Sequence, residues 1–310
     1  MNDQPGNWRL GFGLAFVTAT AWGLLPIALK VMLNSMDPYT ITWYRFLVSA
    51  LVTGAVLAVT GGLPRLHRLD GRTRRILLVA VIGLIANYLL YLLGLSYAAP
   101  ATAQILIQLA PLFLLLGGLW IFRERFSRLQ WAGLVALLSG LVLFFHDRFA
   151  GLMDLDSDLA KGVVLIVLAA LTWAAYAIAQ KMLQGQMTPQ GVLLVIYVAA
   201  SVTLLPVSAP QSITGLSAIG LVLLAFCSFN TLIAYGCFAE ALRHWEASRV
   251  SAVLAITPLL TVAFGALIAA LPYGYVNQDR VDLASFAGAV LVVMGSAVCA
   301  LGGGRRSSTN

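Results

Sequence analysis

Charge is scarce in this sequence. Only 10% of its 310 residues are Asp, Glu, Lys or Arg and 60% are hydrophobic, where a soluble domain carries about 25% charge. A soluble fold of this size would lack a polar shell, so lipid is the expected solvent, with about 20 apolar residues to a span. Cysteine is rarer still. Cys227, Cys237 and Cys299 have the spacing of neither metal ligands nor a disulfide framework, and read as small buried apolar residues. The three histidines, His67, His146 and His244, fall in predicted loops or helix ends, and neither HExxH nor GxSxG occurs. Glu240 is the lone carboxylate inside an apolar run, and it lies near that run's end. General acid–base work needs more than that, so the expectation is no enzyme, no metal and no cofactor. The net charge of +7 comes from basic residues in short gaps between apolar runs. That placement suits lipid headgroups and argues against nucleic acid as a partner.

What is present is ten apolar runs, at about 10–33, 39–60, 76–97, 101–122, 129–145, 162–182, 190–208, 215–239, 248–271 and 283–302. The first has no basic leader and is too long for a cleaved signal, so it reads as a helix. The expected fold is an all-α polytopic membrane protein with ten transmembrane helices. Lysines and arginines orient it. With the N-terminus inside, fourteen fall on the cytoplasmic side, including Arg65, Arg68, Arg72, Arg74 and Arg75, and four outside: Lys30, Arg148, Lys161 and Arg280. Both termini are then expected in the cytoplasm.

The chain also repeats itself. Residues 20–30, TAWGLLPIALK, return at 171–181 as LTWAAYAIAQK. Gly11, Trp22, Lys30 and Pro38 recur 151 positions later as Gly162, Trp173, Lys181 and Pro189. Tyr88, Pro111 and Gly118 recur after 147 as Tyr235, Pro258 and Gly265, and Gly133 and Gly140 after 155 as Gly288 and Gly295. A unit of five spans, repeated in tandem, enters the membrane from opposite sides, the inverted repeat of many secondary transporters. The expected halves are 1–156 and 157–310.

Polar and aromatic residues cluster by helical spacing. Gln104, Gln108 and Pro111 form an i, i+4, i+7 stripe, and Pro111 is expected to leave the Ile107 carbonyl free beside the two amides. Tyr88 and Tyr91 share a turn, as do Trp173 and Tyr176, while Thr231, Tyr235 and Phe238 line one face. Trp22 and Trp173 sit about 18 Å into their helices, near mid-membrane, where rings with polar handles can hold an aromatic or cationic ligand. Trp8, Trp43, Trp120 and Trp131 are expected in interfacial belts. The candidate substrate-binding set is therefore Trp22, Tyr88, Tyr91, Gln104, Gln108, Trp173, Tyr176 and Tyr235. Candidate gating or structural residues are Pro26, Pro111 and Pro258 as kinks, and Lys30 and Lys181 as gate contacts or snorkelling chains. Arg45, two turns into the second run, either binds a substrate carboxylate or pairs with a carbonyl. The seven-residue glycine spacing of the fifth and tenth runs suits a tightly packed pair. A monomer is favoured, with a dimer surface there as the alternative.

Trp22-Gly23 with Pro26, Arg45-Phe46 opening the second run, the mid-span proline of the fourth, Arg123-Glu124-Arg125-Phe126-Ser127 after it, and the paired glycines of the fifth appear in that order. Together they resemble the EamA-type transporters of the drug/metabolite transporter superfamily, over nearly the whole chain. The second half departs from the pattern, with Ile196 at the Arg45 position and Leu271 at the Glu124 position. The resemblance implies ten helices in a bacterial inner membrane and export of a small-molecule substrate, amino acids included. The chain looks most like aromatic amino-acid exporters. The alternatives are an exporter of organic cations, which would want an intramembrane acid, and a channel, which would want a continuous polar path. Uniport, exchange and proton coupling all remain compatible with the sequence.

Overall fold

Most of the apolar runs begin at a short polar residue whose side chain caps a helix. In the computed structural model, which describes residues 7–121, 127–154, 156–245, 247–269 and 282–302, Asp37, Asp70, Ser127, Ser157, Thr188 and Ser217 each accept a backbone N–H of the first turn. Such caps satisfy donors that a helix start leaves open. The first half holds α1 (Trp8–Met32), α2 (Pro38–Val59), α3 (Gly71–Tyr97), α4 (Pro100–Leu106), α5 (Leu109–Ile121), α6 (Arg128–Phe144) and a short α7 (Phe149–Met153). The second holds α8 (Asp158–Met182), α9 (Pro189–Leu204), α10 (Ala218–His244), α11 (Ala247–Leu254), α12 (Thr257–Ala269) and α13 (Leu283–Gly302). No strand occurs among the described residues.

Eight of the helical segments are long and apolar enough to cross a membrane, and two shorter apolar helices lie at Pro100–Leu114 and Arg128–Phe144. The fourth and ninth runs, expected as single helices, are each broken in the middle, between α4 and α5 and between α11 and α12. Two helix starts also move. α3 begins five residues earlier than its apolar run because Asp70 caps the Thr73 N–H, which draws Arg72, Arg74 and Arg75 into the helix. Likewise Ser157 starts α8 four residues early.

Four antiparallel pairs build the bundle, and each joins one helix of the first half to one of the second. On α1 and α10, the Thr18 hydroxyl donates to the Ala234 carbonyl (3.2 Å) and the Asn230 amide to Ala21 (2.8 Å). On α3 and α8, the Asn87 amide donates to Ala169 at 2.8 Å, and Gly83 lies against Thr172 and Tyr176. The Trp43 indole donates to Ser201 between α2 and α9 (2.9 Å). α6 and α13 meet on their glycines: a Cβ on Gly288 would lie 2.5 Å from the Phe144 nitrogen, and one on Gly295 2.4 Å from that of Leu137. Small residues let these backbones touch. The buried core is continuous across the halves, with Leu29, Leu92 and Ile105 packed in one cluster with Ile166, Cys227 and Val292.

Candidate functional site

The two broken helices meet at their breaks. Pro111 and Pro258 lack an N–H, so neither can continue the helical ladder upstream. Around Pro111 the chain tightens instead: Gln108 N–H donates to Ile105 (3.2 Å) and Ala110 N–H to Ile107 (2.9 Å). The Ile107 carbonyl is therefore taken, not free as expected, and the stripe of Gln104, Gln108 and Pro111 is not one continuous helix face. Before Pro258, the Thr257 hydroxyl donates to the Leu254 carbonyl, which the proline cannot reach (2.6 Å). The Gln108 amide crosses to the Ala255 carbonyl at 3.3 Å. Gln108 and Ala255 stand 147 apart, each three residues before its proline, so each break touches its own counterpart. Pro26 behaves differently: α1 runs through it without a break.

Beside this crossing, aromatic rings from five helices converge. Trp22 of α1 packs edge-on against Tyr235 of α10 (5.4 Å between centroids) and against Phe238 (6.1 Å). The Trp173 side chain, from α8, reaches the same tyrosine. The two tryptophans of the repeat thus share one partner. Tyr88 lies within electrostatic reach of Tyr235 and stacks at a tilt on Phe46 (4.7 Å). Tyr91 donates its hydroxyl to the Gln104 amide oxygen at 3.2 Å, tying α3 to α4. Tyr176 sits deeper, buried among Ala179, Leu183, Ile196 and Tyr197, as a packing residue.

Arg45 lies at the edge of this group and is only 4% exposed. Its Nε donates to the Cys227 carbonyl (3.2 Å) and an Nη to the Thr231 hydroxyl (3.4 Å), and its guanidinium stacks 4.6 Å above the Tyr88 ring. A charge at mid-helix in a membrane costs about 3 kcal/mol on insertion scales, which two neutral acceptors and a ring offset in part.

Lys30 is a structural cap. Its Nζ donates to the carbonyls of Leu95, Ser96 and Ala98 at 2.7 to 3.0 Å, closing the C-terminus of α3. Lys181, exposed in the last turn of α8, leads into a turn where Gln186 meets Thr73 at the other end of α3. The two lysines therefore sit near opposite ends of a 27-residue helix, about 40 Å long at 1.5 Å per residue.

Trp43 is corrected from a belt residue to a buried one, because its indole finds the Ser201 carbonyl between α2 and α9. Trp8, Trp120 and Trp131 are exposed. Glu240 accepts from His244 one turn on (3.1 Å). Glu124 lies outside the described residues. Spacing gave no hint of Asn230 and Thr261, whose side chains donate to the α1 carbonyls of Ala21 and Gly23. A surface cleft of about 580 Å³ between residues 61–65, 68–70 and the α8–α9 turn at Gln186, Met187 and Thr188 was also unforeseen.

Lipid-length apolar helices in antiparallel pairs, enclosing buried polar bonds, make this a multi-pass membrane protein. The model of the EamA-like transporter family matches residues 9–146 and again 160–301, and the chain belongs to that family. A transporter of Haemophilus influenzae is 38% identical over 302 residues, covering 97% of each chain. The inner membrane transporter YhbE of Escherichia coli K12 is 36% identical over 315 residues, covering 100% of this chain and 97% of its own. More distantly, an Escherichia coli protein named as a probable amino-acid metabolite efflux pump is 24% identical over 297 residues, 91% of this chain and 92% of that one. One solved crystal structure superposes with a TM-score of 0.64 at 19% identity, covering 97% of this chain and 99% of that one, a likeness of fold.

Proposed function

We propose that the protein is a secondary transporter that exports small metabolites, amino acids first among them and aromatic ones in particular. In this reading, residues 1–156 and 157–310 are inverted repeats of five spans, the broken α4–α5 and the short α6 counting as the fourth and fifth. The substrate occupies a central cavity between the repeats, opened to either side in turn. Both termini face the cytoplasm of a bacterial cell, the inner membrane holds the chain, and one copy suffices.

Several observations support this. The partner pattern survives exchange of the halves: Asn87 on Ala169 corresponds position for position to Thr18 on Ala234. Broken helices at a repeat interface are where carriers bind their cargo. The observation that carries the substrate class is the convergence of Trp22 and Trp173 on Tyr235, a ring surface suited to stacking. The efflux pumps among the relatives point the same way.

Counterflow of labelled tryptophan or phenylalanine into proteoliposomes tests it. Saturable uptake with trans-stimulation is expected, falling at least about tenfold in Trp22→Ala, Trp173→Ala and Tyr235→Ala, since aromatic contacts of this kind are worth about 1 kcal/mol or more each beyond the buried area lost. Unchanged uptake in all three would remove the assignment, and uptake without trans-stimulation would indicate a channel.

A further inference from the structure

Arg45 has no counterpart. Its position in the second half holds Ile196, fully buried in apolar packing. In a carrier made of two inverted copies, a contact that closes one side is matched by one that closes the other. A charge present in one copy alone is not matched in this way. The surroundings of Arg45 are also missing a partner: among the described residues no carboxylate lies within 4.0 Å of it. Glu240, on the helix that Arg45 touches, is nine residues beyond Thr231, about 13 Å along the axis, and already serves His244. A guanidinium has five N–H donors in a planar fork suited to a carboxylate. The bonds to Cys227 and Thr231 engage Nε and one Nη.

We infer that Arg45 is the receptor for an anionic head, a carboxylate, on the transported molecule. The inference rests on the transport reading above and deepens it. The cargo presents a carboxylate to Arg45 at the α2–α10 contact and lays its apolar body on the rings of Tyr88, Tyr235 and Trp22. Tyr88 holds the guanidinium face, leaving its edge to bind. An organic cation without an acid group is repelled at this point, so the site separates amino acids from cationic drugs.

The test compares L-tryptophan with L-tryptophanamide, which differ only at the carboxyl group, on the full-length chain in nanodiscs. The wild type is expected to bind the acid at least tenfold more tightly than the amide. Arg45→Gln is expected to weaken the acid by about thirtyfold or more and to leave the amide within threefold. Arg45→Lys, which keeps the charge but loses the fork, is expected to fall between. Equal weakening of both probes by Arg45→Gln, as loss of an α2–α10 tie would produce, overturns the inference while leaving the transport reading intact. So does a wild type indifferent to the carboxyl group. If the wild type binds neither probe, the aromatic substrate assignment falls. Thermal shift with other amino acids and small carboxylic acids then decides the role of Arg45: no acid that stabilises the wild type above Arg45→Gln overturns it as well.

Discussion

Gly295 has no side chain because the Leu137 backbone occupies the place where one would begin. Backbone cannot yield as a flexible side chain does, so Gly295→Ala is expected to cost about 1–3 kcal/mol through overpacking. Gly13→Ala, where nothing lies within 4 Å, should be neutral. Unfolding titrations in mixed detergent micelles check the pair, and equal stability of the two variants would contradict the close approach of α6 and α13. Lys30→Met should cost about 1–2 kcal/mol, since three carbonyls at the end of α3 lose a cationic donor, read by the same titration. The single residues were legible to different degrees. Trp22, Tyr235 and Phe238 could be grouped from helical spacing, because that spacing fixes which side chains share a face. Lys30 could not, since the carbonyls it caps lie 65 to 68 positions away and spacing within one helix says nothing of its neighbour. Asp282 gives a pH prediction. The Ser285 bonds, then His146 and Arg148, hold its carboxyl below the usual carboxylate range. Its contribution is present above that range and lost as pH falls through the lowered value, so Asp282→Asn should flatten the acid limb of stability against pH.

At the scale of the element, the two broken spans carry the mechanism. Restoring the missing N–H by Pro111→Ala allows α4 and α5 to join, and Pro258→Ala does the same for α11 and α12. Each should slow counterflow about five- to tenfold with substrate affinity held within twofold, since the breaks move and the rings bind. The two effects should be similar, because Gln108 and Ala255 are counterparts in one contact. Counterflow rates for both variants measure this, and an unchanged rate in either would detach the breaks from transport. Both prolines were visible in the sequence, but the breaks were not. A proline removes a donor, and whether the chain then bends, breaks or tightens depends on neighbours such as Thr257, which supplies the missing hydrogen bond. The early start of α3 was hidden for a related reason. Hydropathy registers Arg72, Arg74 and Arg75 as loop, while the Asp70 cap makes them helix.

In the whole molecule, the halves of the sequence are not two lobes. The pairs α1 with α10, α2 with α9, α3 with α8 and α6 with α13 interleave them, so opening a path between the halves means sliding antiparallel helices rather than parting two domains. The duplication was legible because offsets of 151, 147 and 155 survive in the sequence. The interleaving was not, because offsets say which residues correspond and not which ones touch. Inversion of the repeats is the central claim, and it concerns sidedness. Ser35 and Gln184 are exposed in the turns that follow α1 and α8. Single cysteines there, in a chain with Cys227, Cys237 and Cys299 replaced by alanine, can be challenged with a membrane-impermeant maleimide on spheroplasts. Labelling of Ser35→Cys from outside, and of Gln184→Cys only after the membrane is opened, is the predicted result. Labelling of both from the same side would contradict it.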